Sequence, residues 1–388
     1  MRHPLSIAVR FTAATTLLGL SLHTLAAPTI EEQRLPKARA AIPESVSRHD
    51  GLVKQFTQAF SQAASQADAE TVATDYAFGL WQAARDDIRL LNKLDDRPLY
   101  WARLGMTQAA RSTTPRYAIT PAGRQKILEI VERTSRGIED IWFFDEDMKH
   151  ILITGFDPFL LDRNIDQSNP SGVAALRLDG KIIRVGNKVA RIEAVLAPVR
   201  FADFDAGFVE NLLRDYYRRK EVDMVVTISM GRAQFDLERF PGLRRSADVP
   251  DNMNVKAGGT TTNPTPPMLD GGTLSGKEFV EFSLPVAAMQ KVNQPFAVND
   301  NRQVTTLKQT FAPQRLAELK GEVSVEGSGG GYLSNEISYR SVRLRDDVGV
   351  RIPVGHIHTP AIQRHDPETE GKIADQIERM LKAALETL

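Results

Sequence analysis

From Met148 to the C-terminus, short apolar runs of strand length alternate with longer stretches of helical periodicity. Residues 150–154, 191–197 and 224–229 read as buried strands, and 322–326 and 348–358 as further ones. An amphipathic helix over 204–219 precedes the third strand, and a charged helix over 367–387 closes the chain. Parallel strands need long crossovers, and helices of roughly ten residues or more supply them. The pattern therefore predicts an α/β fold: a three-layer αβα sandwich around a mostly parallel sheet, with helices on both faces.

Residues 51–135 have a different texture. Leu52, Phe56, Ala59 and Phe60 fall on one helical face, and Thr71, Val72, Tyr76, Leu80 and Ala84 continue the style. A third helix is predicted over 99–110 after Pro98, and a fourth over 122–135 after Pro121, with Ile127, Ile130 and Val131 on one side. The expectation is an all-α domain over 28–147, preceding an α/β domain over 148–388. Trp81, Tyr100 and Trp101 read as packing residues of the helical part. Residues 28–48, rich in Pro, Ala and charge, read as a tether or a loosely docked arm. Residues 255–280 and 293–320, rich in Gly, Thr, Pro and Asn, read as surface insertions.

The first 27 residues look like an address. Arg2 and Arg10 precede an apolar stretch over 11–26, which ends in Leu25-Ala26-Ala27-Pro28. This is the pattern of a secretory signal peptide (1–27) cleaved near Ala26 or Ala27, so the mature protein is expected to be exported, periplasmic or secreted. No membrane association is expected after cleavage. The 49 basic and 49 acidic side chains balance. A general nucleic-acid binder would need a basic surplus, so no nucleic-acid partner is expected. The chain has no cysteine. Disulfides, thiolate-ligated metals and a thiol nucleophile are thereby excluded. No cofactor is expected.

Active sites of open parallel sheets gather at the C-terminal ends of the strands. Four segments fall there: Thr154-Gly-Phe-Asp-Pro-Phe159, Gly231-Arg232 with Leu237-Glu238-Arg239, the glycine-rich Gly327–Asn335 turn, and Gly355-His-Ile-His-Thr-Pro360. Each is weak alone. A glycine-rich turn before a helix cradles an anion or simply turns tightly. His356 and His358, two apart on a strand, share a face as a chelating pair would, but no third ligand beyond His365 and Asp366 lies near in sequence, and no metal is expected.

Together the segments resemble pyroglutamyl peptidase type I, the pyrrolidone carboxyl peptidase family, over some 240 residues from Met148. The opening strand with Gly155-Phe156, Pro158 and Phe159 resembles the family's G-F-x-P-F turn. Asn169-Pro170-Ser171, Gly231-Arg232 before Glu238-Arg239, Pro250-Asp251-Asn252, Ser334-Asn335 with Tyr339, and Gly355 to His358 with Pro360 stand at the family's spacings. The resemblance implies removal of an N-terminal pyroglutamate through an acyl-enzyme. It implies a set of Glu238, position 334 as nucleophile, and His358. It implies that Phe156 and Phe159 wall the lactam pocket, with Leu333 and Arg232 beside it, and that the partner is a peptide.

At position 334 the family has cysteine and this chain has serine. A cysteine at a helix N-terminus beside a histidine ionises readily from a starting pKa near ~8.5. Serine must instead lose its proton to a base during attack, with that base oriented by a third group. Glu238, His358 and Ser334 have the residue types for that. Leu160-Leu161 replace a family Gly-Gly, the following loop is longer, and Phe240-Pro-Gly-Leu243 lacks the family's asparagine. Two readings follow. One is an exported hydrolase using Ser334, His358 and Glu238. The other is an inactive relative that binds a peptide or partner.

Overall fold

A computed structural model describes residues 27–144 and 147–388. The predicted signal peptide lies outside the described residues, apart from Ala27. Seven strands form the central sheet: β1 (Lys149–Phe156), β2 (Lys181–Val185), β3 (Lys188–Ala197), β4 (Met224–Met230), β5 (Phe235–Glu238), β6 (Val298–Asn301) and β7 (Val354–Thr359). Their order is β2-β3-β1-β4-β7-β5-β6. The four central strands, β3, β1, β4 and β7, run parallel. β2 pairs antiparallel with β3, and β5 antiparallel with β7, while β6 runs parallel to β5. The expected α/β class and mostly parallel sheet are what the chain adopts.

The central strands are mostly apolar because both faces are covered, with buried polar residues such as Thr227, Ser229, His356 and His358 toward the site. Met224 to Ile228 are buried without interruption, as are Ile151 to Phe156. Four long helices precede the sheet: α1 (Asp50–Gln62), α2 (Gln66–Arg89), α3 (Arg97–Ser112) and α4 (Pro121–Thr134). Along α2, Ala69, Ala73, Ala77 and Ala84 are all buried, a small-residue stripe at helical spacing that lets neighbours approach closely. Four more helices cover the sheet: α5 (Pro170–Leu178), α6 (Phe208–Arg219), α7 (Leu333–Val348) and α8 (Pro367–Leu385). α5 and α8 pack together on one face, and α6 and α7 together on the other. Thr120, Asn169 and Asp366 each cap a helix whose first residue is proline. The cap accepts an otherwise orphaned amide, and the proline has no amide to orphan.

The helical region shares one continuous hydrophobic core with the α/β part, running from Phe56 through Trp81 and Val173 to Leu385. α2 lies across α5. Trp81, Tyr100 and Trp101 are buried, in line with a packing role.

Four expectations need correction. Residues 28–48 are not a loose arm but three short helices, Ile30–Gln33, Leu35–Ala41 and Pro43–Ser47. Thr29 and Glu32 form a reciprocal capping box at the first of them. Polar contacts then fix the segment: Glu31 accepts from Tyr100 Oη at 3.0 Å, Glu32 from Thr107 and Arg111, and Arg34 clasps Asp162 and the Asn252 carbonyl. Residues 293–320 are not wholly irregular, since they supply β6. The 322–326 strand is Ser324–Glu326, which leaves the main sheet to pair antiparallel with Val304–Thr306. Finally, 348–353 are not strand: α7 runs on to Val348 and stops at Gly349, whose φ of 76° favours glycine.

Candidate active site

His358 lies on β7 and Glu238 on β5. The antiparallel register sets Asp236 opposite His358 and Leu237 opposite Ile357, so Glu238 stands diagonally across from His358. His358 Nδ1 and Glu238 Oε1 are 2.6 Å apart, and both residues are buried. Burial pushes the Glu238 carboxyl up from its ordinary value, and the His358 hydrogen bond opposes that push. The glutamate fixes the imidazole's tautomer and orientation, leaving Nε2 for other work. Gly231 is needed beside it. A Cβ there would meet His358 Cβ at 2.5 Å and Cγ at 2.7 Å, so any side chain would displace the ring.

Ser334 occupies the second position of α7, after the glycine-rich turn. Tyr332, the residue before the helix, has extended backbone and no capping side-chain bond. The first amides of any helix lack an intrahelical acceptor, so those at Leu333, Ser334 and Asn335 are open to an incoming anion. Asn335 pins the turn by exchanging two hydrogen bonds with the backbone of Gly242, at 2.9 and 2.8 Å. Ser334 Oγ donates to the Gly329 carbonyl at 3.2 Å. Gly329 in turn sits against the imidazole, where a Cβ would lie 3.6 Å from His358 Cε1. Serine, glycine turn and histidine are thus assembled at one place.

A cavity of about 100 Å³ opens in front of Ser334. Phe156, Phe159, Val199, Met230, Tyr332 and Leu333 give it apolar walls, with Ser229, Asn169 and Ser334 as polar lining residues. Its floor is the C-terminal ends of β1 and β4. The Pro250-Asp251-Asn252 segment braces the walls: Asn252 Nδ2 donates to the Pro158 carbonyl, Asp251 accepts from the Phe201 amide, and Tyr332 Oη donates to the Pro250 carbonyl. Of the pocket residues named from sequence, Phe156, Phe159 and Leu333 line this cavity. Arg232 does not. Its guanidinium is mostly exposed and pairs with Asp236 at 3.0 Å.

His356 points to the same face as His358, and their rings meet edge to face at 4.8 Å. They do not present a chelating pair. Both His356 ring nitrogens are engaged by hydroxyls, Thr227 and Ser229, at 2.8 Å each. Among the described residues no group of three or more His, Asp or Glu is arranged to hold a metal.

Two functional features were missed from sequence. Asn301 on β6 stands opposite Glu238 and donates to its Oε2 at 2.8 Å, and to the Ser328 carbonyl at 2.8 Å. It therefore holds both the acid and the glycine-rich turn. The signal was faint: Asn299 and Asn301 repeat the period of Asp236 and Glu238. The second feature is the grip of the helical region on the pocket loop. Arg103 on α3 spans both Asp157 oxygens at 2.9 and 3.0 Å, and Arg136 reaches the same carboxylate at 2.7 Å. Asp157 lies between Phe156 and Phe159, so these arginines fix the pocket wall.

Fold and site together define an α/β protein with a buried histidine–glutamate pair beside a serine-bearing helix N-terminus. The chain belongs to the PA0049 family: the model for the PA0049 C-terminal domain matches residues 150–285 and 282–363, and that for the N-terminal domain matches 13–132. An uncharacterized protein of Pseudomonas aeruginosa, PA0049, is 28% identical over 453 aligned residues, covering 88% of this chain and 82% of that protein. Among solved structures, a mutant pyrrolidone carboxyl peptidase of the hyperthermophile Pyrococcus furiosus is similar, with 22% identity and a TM-score of 0.44 over 62% of this chain and 99% of that one. A second pyrrolidone carboxyl peptidase structure from that organism has 21% identity and a TM-score of 0.43, covering 61% and 99%. No described helix is long and apolar enough to cross a membrane.

Proposed function

We propose that this protein is an exported hydrolase that cleaves N-terminal pyroglutamyl or related peptide amide bonds. The observation that carries the proposal is the buried 2.6 Å His358–Glu238 pair, with Gly329 lying against the His358 ring and accepting from the Ser334 hydroxyl at the start of a helix. Ser334 Oγ attacks the amide carbonyl while its proton passes to His358 Nε2. The tetrahedral oxyanion is met by the open amides at the start of α7. His358 then returns the proton to the departing amine, and water, activated by the same imidazole, releases the acid. Glu238 orients the ring and offsets the imidazolium charge. The apolar cavity between Phe156 and Phe159 suits a small lactam ring. Export rests on the apolar segment over 11–26, and N-terminal sequencing of the mature protein tests it.

The second reading, a binding protein without turnover, also has an observation in its favour. The Ser334 hydroxyl donates to Gly329 and must rotate away before His358 can take its proton. A fluorogenic pyroglutamyl amide separates the two. The hydrolase reading expects turnover by the wild type, abolished in Ser334→Ala and His358→Ala. Inert wild type with activity gained in Ser334→Cys would favour the binding reading with an intact pocket.

A further inference from the structure

The Thr227–His356–Ser229 chain has no part in the mechanism above, although Ser229 lines the cavity. Thr227 and Ser229 stand two apart on β4, facing His356 on β7. All three are buried, and the contacts are short: Thr227 Oγ1 to Nδ1 at 2.8 Å, Ser229 Oγ to Nε2 at 2.8 Å, and Thr227 Oγ1 to the Gly355 carbonyl at 3.3 Å.

Counting protons decides how this chain is polarised. A neutral imidazole has one donor and one acceptor nitrogen, and each hydroxyl has one proton. If Nδ1 carries the proton, it donates to Thr227, Thr227 donates to the Gly355 carbonyl, and Ser229 donates to Nε2. All three protons are then used within the chain. If Nε2 carries the proton, it donates to Ser229, Thr227 donates to Nδ1, and the Ser229 proton is left without an acceptor among the described residues. The first arrangement makes one more hydrogen bond within the protein, to the Gly355 carbonyl, and leaves no hydroxyl proton for the cavity to satisfy. Burial, with His358 alongside, holds the His356 pKa well below its ordinary value, so the ring is neutral.

We infer that Ser229 is a specificity-determining residue that presents only lone pairs to the cavity, and so selects a ligand carrying an N–H donor, such as a secondary amide or lactam. His356 and Thr227 are positioning residues that hold the hydroxyl in this state. The inference rests on the reading of this cavity as the acyl-group pocket. It adds a reason why a lactam would be accepted and an isosteric ester refused. Replacing the ligand N–H by an ether oxygen sets lone pair against lone pair, and sites built for a donor reject such analogues strongly.

The test uses binding and needs no turnover. The mature protein is titrated with 2-pyrrolidinone and with γ-butyrolactone, which differ only by N–H against O, and affinities are read by calorimetry or ligand-observed NMR. Wild type is expected to prefer the lactam by about 10-fold or more. In Ser229→Ala the two affinities should fall within about 2-fold of each other, mainly through weaker lactam binding, since the lactone gains nothing from the hydroxyl. A purely structural role would lower both together. Ser229→Thr keeps the hydroxyl and should restore the preference. His356→Phe leaves Ser229 in place but frees its proton, so it too should lose the preference, which covers the case of Ser229→Ala failing to fold. Equal binding of the two by wild type, or an unchanged preference in the folded variants, overturns the inference and leaves the pocket reading standing. Wild type binding neither compound overturns both.

Discussion

At Glu238 burial works against charge and raises the pKa of the carboxyl. Two partners oppose the burial: His358 on Oε1 and Asn301 on Oε2. A hydrogen bond to a charged group contributes about 1.5–3 kcal/mol, and one pKa unit is about 1.4 kcal/mol. Asn301→Ala removes a bond that favours the ionised form, so the Glu238 pKa should rise. If turnover needs ionised Glu238, the acidic limb of the kcat/KM profile moves to higher pH. An unmoved limb in a folded variant would deny Asn301 this part. Ser334, His358 and Glu238 were named from sequence through a family resemblance, which local patterns of glycines and prolines with fixed spacing carry. Asn301 was not, because its importance comes from an edge strand, Val298–Asn301, in which Asn299, Asp300 and Asn301 are poor strand formers. Only pairing with β5 makes it a strand. Arg232 misled for the opposite reason: its motif is local, but the nearby Asp236 turns its side chain outward.

At the scale of elements, the helices α1 to α4 were legible from periodicity, with Pro98 and Pro121 marking the starts of the third and fourth. The docking of 28–48 was not, though its capping box was present at Thr29 and Glu32. Burial of its charges depends on Arg111, Arg200 and Tyr100, far away in sequence. The same holds for the contact between α3 and the pocket loop. Arg103 and Asp157 are both 1% exposed in their side chains, so neither charge has water to fall back on. Breaking a buried pair from one side costs about 3–5 kcal/mol, because the other charge stays buried. Arg136 still faces Asp157, which puts Arg103→Met near the lower end of that range. Denaturant unfolding measures this. The double variant Arg103→Met with Asp157→Asn should recover part of the loss, and its pocket should bind 2-pyrrolidinone more weakly than wild type because the Phe156–Phe159 loop has lost its anchor. A single variant as stable as wild type would show that the helical region does not hold the loop.

Over the whole molecule, helical region and sheet meet across a second set of buried charges. Arg85 on α2 reaches Asp140 and Asp179, and Glu193 on β3 pairs with Arg191. Burial and then the neighbouring Asp179 push the Glu193 carboxyl up, to about 8, and burial and then Asp140 push Asp179 up as well. A raised carboxyl binds its proton more tightly folded than unfolded. Its ionisation therefore subtracts stability as pH rises from the unfolded value near 4.5 to about 8. Glu193→Gln cannot ionise. Its melting temperature relative to wild type should climb from pH 5 to pH 9, and a difference constant with pH would contradict the assignment. The charged seam and the shared hydrophobic core both join residues far apart in sequence, which no local sequence pattern could reveal. The central claim remains that Ser334 is a nucleophile served by His358 and Glu238. Treating the intact protein with a serine-reactive fluorophosphonate, then reading its mass and mapping the adduct, tests it most directly. A single adduct on Ser334, lost in His358→Ala, is the predicted result. No adduct, or one on another residue with Ser334 unmodified, would contradict it.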